Sequence, residues 1–358
     1  MPDSKDKDSV AYVVYPLHGF VSDAAQLELP DHAMILRRDT GDLKDILLRA
    51  ESESALRKYR DLFDPDYFLV GSASGEHGEL EHSPGLDDRV RAIQQVATWF
   101  EPSIATAEGI ILTLRLFKPG RFHTGPVYCI LKSELDGPFV VNGFEAGHAE
   151  VEFEVGLQRR GLHFPFAGTR PSYELTAREL PVLNQFSSTL HGAENKLARR
   201  TKWHLATAYY GSSFEQKEPR YQWIDLSIAV EGLLLQQGDQ ELNFRLALRA
   251  ANLLGTDDAE RTRLFKQVKD CYDLRSKIIH GAELKPEHNR LLDRVDEFRE
   301  IVRRILLSSM GLALDIGFGP EFYKALDETA LSASRRESVL KRASRLLHIG
   351  SGVVGEKP

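Results

Sequence analysis

An arginine and a histidine stand five residues apart in Tyr272-Asp273-Leu274-Arg275-Ser276-Lys277-Ile278-Ile279-His280-Gly281. Together they can cleave RNA. A guanidinium holds a phosphate and stabilises charge on its oxygens. An imidazole, titrating near neutrality, takes the 2′-proton or protonates the leaving oxygen. No metal is required. The spacing alone carries little, because Arg-x(4–6)-His occurs three times, the others being Arg199…His204 and Arg342…His348. Context has to choose.

Context favours Arg275. From Glu260 to Ile279 the apolar residues Leu264, Val268, Cys271, Tyr272, Ile278 and Ile279 recur with helical period. Arg275 falls inside that stripe, about 20° from Leu264 at 100° per residue. A buried charge is costly unless paired, so Arg275 should face a carboxylate, another subunit or a bound anion. His280 precedes Gly281, and glycine is favoured just past a helix end. On an ideal helix the two side chains diverge by about 140°. They converge only if the last turn deviates, if arginine's reach closes the gap, or if a second subunit does.

Two further blocks precede this one in order: Ile224-Asp225-Leu226-Ser227-Ile228-Ala229-Val230-Glu231-Gly232-Leu233-Leu234 and Phe244-Arg245-Leu246-Ala247-Leu248-Arg249-Ala250-Ala251-Asn252-Leu253-Leu254-Gly255. With Tyr272 to Gly281, they resemble the Apea-like HEPN family (higher eukaryotes and prokaryotes nucleotide-binding). The similarity spans roughly residues 172–315. The resemblance implies a helical bundle that dimerises, and a metal-independent ribonuclease whose motif lines a cleft between two protomers. Arg275 and His280 would be its catalytic pair, needing no cofactor. Many of its nucleases carry Asn, Asp or His directly after the arginine; here that position is Ser276, a candidate supporting residue.

The same blocks hold two charges among apolar neighbours. Glu231 shares a side with Ile224, Ile228 and Leu235, and Arg249 lies among Leu242, Leu246 and Leu253. Buried charges are paired, so these two are expected to form a structural ion pair beside the site. Lys196, Arg199, Arg200 and Lys202 with Trp203 are candidate RNA-binding residues that grip phosphates and stack a base. A solvated helix face competes with that reading, as it does for Arg335, Arg336, Lys341, Arg342 and Arg345. His77, Glu79, Glu81 and His82 have metal-binding chemistry, but their Gly-rich acidic surroundings read as an exposed loop; no metal site is expected.

The elements that must position these residues divide the chain into α+β parts. Residues 1–165 read as a mixed α/β domain. Ala11–Tyr15, Tyr67–Val70, Gly109–Phe117 and Val127–Leu131 read as strands, and Asp42–Asp61 and Leu86–Phe100 as helices. A boundary falls at Phe164 to Pro171, before the capping signature Thr176-x-x-Glu179. Residues 172–315 then read as the all-α bundle and 316–358 as a helical extension opened by Ser334-x-x-Glu337. The expected helices are Thr176–Leu190, Glu194–Tyr210, Gln222–Gln236, Leu242–Leu254, Glu260–Ile279, Asn289–Leu314, Glu321–Leu331 and Ser334–Leu347.

Composition is that of a globular protein of two domains: 358 residues, 28% charged and 42% hydrophobic. No apolar run reaches membrane-spanning length, and Met1 to Val10 lacks a signal-peptide core. Two cysteines, Cys129 and Cys271, make neither a disulfide framework nor a zinc site, so a reducing cytoplasm is expected. Residues 1–170 carry a net charge of −9 and residues 171–358 of +2, which mildly favours RNA contact by the helical half. The family resemblance implies an RNA-cleaving effector of antiviral defence, with the N-terminal domain then sensing a protein or phage-derived trigger or restraining the nuclease. The alternatives are a non-catalytic module that binds RNA or a protein partner, and a dimerisation domain.

Overall fold

The computed structural model describes residues 9–48, 66–75, 88–124, 128–132, 139–140, 145–146, 149–150, 173–197 and 201–350. The fold is α+β: antiparallel sheet in the N-terminal region, then helices. Two compact units are present. One holds residues 1–111 and 120–180; the other holds 112–119 and 181–358.

In the first unit, β1 (Ser9–His18) is the centre of the sheet. It pairs antiparallel with β4 (Tyr67–Gly75) along its length, Val14 opposite Val70, and on its other edge with β5 (Tyr128–Lys132), Val13 opposite Cys129. The neighbouring strands β2 (Gln26–Glu28) and β3 (Met34–Arg37) extend the sheet beyond β4. Val13, Val14 and Tyr15 are all buried, so β1 is covered on both faces. Val14, Leu36, Phe68 and Val70 pack with Leu43 of α1 (Gly41–Leu48). Aromatic rings of Phe20, Tyr67, Phe122 and Tyr173 form a second cluster, Phe122 edge-on to Tyr173 at 5.1 Å.

The expected strand Gly109–Phe117 is helix instead, the end of α2 (Asp88–Phe117). A continuous apolar run such as Gly109-Ile-Ile-Leu does not distinguish strand from buried helix. The expected helix Leu86–Phe100 is the earlier part of the same α2, which runs on through Pro102. The remainder of the expected helix Asp42–Asp61 and the loop containing His77, Glu79, Glu81 and His82 lie outside the described residues.

The second unit is built from α3 (Leu180–Lys196), α4 (Lys202–Glu215), α5 (Pro219–Leu234), α6 (Leu242–Leu254), α7 (Asp258–Ile279), α8 (Pro286–Leu292), α9 (Val295–Ile316), α10 (Pro320–Glu328) and α11 (Ala333–Gly350). Two expected helices are each broken in two. Thr201 is extended and caps α4, its hydroxyl 2.9 Å from His204 Nδ1. Asp293 and Arg294 separate α8 from α9. Thr176 opens the short turn before α3 as its spacing predicts, with Glu179 accepting its N–H at 2.9 Å. Ser334 does not cap α11; Ser332 accepts the Arg335 N–H instead.

Helix α9 is buried from Val295 to Ala313 on nearly every side and packs against α4, α5, α6 and α11. Trp223 of α5 stacks on Phe298 at 4.5 Å. A Cβ at Gly311 would lie 2.8 Å from the Arg342 carbonyl, so glycine permits the close approach of α9 and α11. The extension after residue 315 therefore packs with the preceding helices as part of one unit.

Candidate functional site

Helix α7 carries the motif, and local chemistry fixes both of its ends. Asp257 caps the start by accepting the Glu260 N–H at 2.8 Å. At the end, Gly281 takes φ +65°, its N–H donating to Ile278 O while the Ala282 N–H donates to Lys277 O. That pair of bonds is a Schellman motif, and it requires the left-handed residue that Gly281 supplies. The last turn keeps its α-helical bond, His280 N–H to Ser276 O at 3.1 Å. The helix does not deviate, so Arg275 and His280 remain about 140° apart around the axis.

Arg275 turns inward. Its Nε lies 3.2 Å from Glu231 Oε1 on α5, both side chains about four-fifths buried. The contact is an ion pair by distance, but neither atom is aligned for a hydrogen bond. Burial pushes the Glu231 carboxyl above its ordinary 4.5, and Arg275 offsets only part of that. Tyr272, three residues earlier, feels both charges; its hydroxyl is raised by burial first and by Glu231 second. His280 is exposed at the helix end beside Ile279, and Ser276 is half-buried.

The expected Glu231–Arg249 pair does not form. Arg249 is fully buried and belongs to other carboxylates: Nη1 donates to Asp239 at 2.6 Å, and Nε and Nη2 donate to the two oxygens of Asp327 at 2.8 and 2.9 Å. Leu234 O and the Tyr323 ring complete the cage. Arg249 ties α6 to the loop after α5 and to α10, and Glu231 is left to Arg275.

The proposed RNA grip also changes. Trp203 is fully buried, its indole N–H donating to Leu306 O, so no base can stack on it. Lys202 is turned inward to Leu235 O and the Tyr323 hydroxyl, each at 2.8 Å. Trp203, Ala206, Thr207, Tyr210 and Phe214 form one buried helical stripe, and that periodicity was readable. Lys196 is exposed at the end of α3; Arg199 and Arg200 lie outside the described residues. Near the C-terminus, Arg342 and Arg345 share Asp315, Arg335 pairs with Glu328 and Arg336 with Asp258, so these four arginines are ion-paired within the chain.

The apolar stripe of α7 is covered within the chain: Leu264, Val268, Cys271 and Leu274 are buried, and the helix packs on α5 and α6. Exposed apolar side chains include Ile279 at the end of α7 and Leu242 and Phe244 at the start of α6. Leu242 and Phe244 line an open groove with Lys269 and Tyr272. Among the described residues no helix is long and apolar enough to cross a membrane. No family model, curated protein or solved structure matches the chain.

Proposed function

We propose that the chain is a metal-independent endoribonuclease of HEPN type, with Arg275 and His280 as its catalytic pair. The observation that carries this reading is the placement of the pair on α7: a mostly buried guanidinium facing, among the described residues, one misaligned carboxylate, and an exposed imidazole just over one turn on at a capped helix end. In the reaction, the RNA 2′-hydroxyl attacks the adjacent phosphorus and the bond to the 5′-oxygen breaks. His280 takes the 2′-proton or delivers one to the leaving oxygen. Arg275 holds the phosphate. The products are a 2′,3′-cyclic phosphate and a 5′-hydroxyl. Because a regular helix directs the two side chains apart, a second protomer completes the cleft, joined through the Ile279 and His280 end of α7. Action as an antiviral effector, with the N-terminal unit as sensor or restraint, follows from the family resemblance.

The test uses the full-length protein on single-stranded RNA with EDTA present. Cleavage leaving cyclic phosphate ends is expected, and His280→Ala should lower the rate by about 10²–10⁴. Cleavage that persists unchanged in His280→Ala overturns the assignment. A second reading is favoured by the Arg275–Glu231 contact itself: the arginine already has a carboxylate, as in a purely structural pair. The module then binds RNA or a protein without chemistry. Tight RNA binding without cleavage, equal in wild type and His280→Ala, supports it.

A further inference from the structure

Every third residue of α7 from Arg263 to Arg275 can donate to a phosphate: Arg263, Lys266, Lys269, Tyr272 and Arg275. Residues three apart are neighbours on a helix surface, so the five form one slanting row. Successive members rise by about 4.5 Å along the axis. The row is graded in exposure. Arg263, Lys266 and Lys269 are exposed, Tyr272 is partly buried, and the Arg275 side chain is only 23% exposed. It leads from solvent to the guanidinium that the nuclease reading assigns to the scissile phosphate.

These donors differ in what they already hold. Arg263 donates to Gln267 and lies 3.8 Å from Glu260, a carboxylate it shares with Arg304. Among the described residues, Lys266 and Lys269 make no ion pair and the Tyr272 hydroxyl makes no hydrogen bond. Burial and Glu231 raise the Tyr272 phenol, so it stays a neutral donor. The nearby acids are engaged or turned elsewhere. Asp273 accepts from Asn243 at 2.6 Å, and Asp270 lines a separate cleft with Lys277 and Arg290. Glu241 is the one acid lining the groove beside Lys269.

Three unengaged donors in line with a mostly buried arginine suit a chain of regularly repeated acceptors. A single-stranded nucleic-acid backbone is such a chain, whereas a small anion would meet one or two of them. Lys266 stands about 13.5 Å along the axis from Arg275, the length of about four nucleotides at about 3.4 Å each. The row ends on Arg275, so its occupant is the polymer whose phosphate Arg275 holds.

We propose that this row is a track for the RNA backbone, in which phosphates to one side of the scissile bond lie against Lys266, Lys269 and the Tyr272 hydroxyl and guide the strand to Arg275. The proposal rests on the nuclease reading above and adds where the uncut part of the strand is held. Contacts to phosphate carry no sequence information, so the track is blind to the bases.

The test measures binding of an end-labelled ten-nucleotide single-stranded RNA by the full-length protein carrying His280→Ala, so that no strand is cut. Salt is varied from about 50 to 200 mM. Each phosphate contact to a single strand adds about 0.7 to the steepness of log affinity against log salt. Lys266→Ala and Lys269→Ala should each weaken binding and reduce that steepness by about 0.7, equally for oligoadenylate and oligouridylate. Lys269→Arg should keep both at the wild-type level. Tyr272→Phe should weaken binding without changing the salt dependence, because it removes a neutral donor. Lys324→Ala removes an exposed charge from α10 and should change neither. If RNA binds but both lysine variants keep the wild-type salt dependence, or Lys324→Ala reduces it as much, the track is overturned while the RNA reading stands. If no strand binds, both fall. Polyglutamate bound instead, with affinity lost in Lys269→Ala, would make the row a surface for an acidic protein.

Discussion

Arg275 Nε and Glu231 Oε1 lie 3.2 Å apart without forming a hydrogen bond. The arginine is therefore held by charge and not by geometry, and a phosphate offering aligned oxygens would compete well for it. Glu231→Gln should keep the shape and weaken the competition. In the proposed nuclease, RNA affinity should rise and its Arg275 dependence persist. Unchanged binding with Glu231→Gln would show that the carboxylate is no competitor.

The same residue sets a pH dependence. Burial raises the Glu231 carboxyl in the folded state, so the folded protein binds that proton more tightly than the unfolded chain. The resulting stability is complete below about 4.5 and is lost as pH rises through the raised value. Glu231→Gln should therefore gain melting temperature relative to wild type as pH goes from 4 to 8. A difference that stays flat or shrinks over that range contradicts the burial argument.

Arg249 should be the more costly charge to disturb. Replacing it with Met strands Asp239 and Asp327, and breaking such a buried pair costs about 3–5 kcal/mol. For Asp239, burial alone would raise the carboxyl, but the Gln236 N–H and Arg249 outweigh it and hold it below 3.8. Its share of stability is present at neutral pH and lost in acid below that value. Denaturant titration of Arg249→Met, Glu231→Gln and the double variant should give additive changes in stability, since Glu231 and Arg249 do not meet. Strong coupling between them would put the two side chains in contact after all.

Two glycines test the backbone. Gly281→Ala forces a side chain onto φ +65° and should cost about 1 kcal/mol or more; it should also slow cleavage, because it loosens the turn that holds His280. Gly311→Ala places a methyl against the Arg342 and Ala343 carbonyls and should cost about 1–3 kcal/mol. Equilibrium melts and RNA cleavage separate the two. The first should lose both stability and rate, the second stability first.

Much of the motif helix was readable. The stripe through Leu264, Val268 and Cys271 marked its buried face and Gly281 its end; its start lies two residues before the expected Glu260, where Asp257 caps it. A helical wheel also placed Glu231 and Arg249 among apolar neighbours. It could not assign partners, because periodicity gives the face of a helix and not what faces it. Asp239 comes from a loop and Asp327 lies 78 residues beyond Arg249. Trp203 misled for another reason: its basic neighbours suggested a nucleic-acid surface, while the stripe from Trp203 to Phe214 marked the core. The groove at Phe244 arises where two helices meet, which no single segment encodes.

The helical unit draws eight of its residues, Leu112–Pro119, from far upstream of the rest. Arg115 binds Glu215 and the Gly211 carbonyl, and Arg303 donates to Leu116 O at 2.7 Å. A chain begun after residue 120 would lack Arg115 and Leu116, the partners of Glu215 and Arg303. The helical unit is thus encoded in two separated stretches of sequence, and a boundary drawn at residue 180 alone cuts it short.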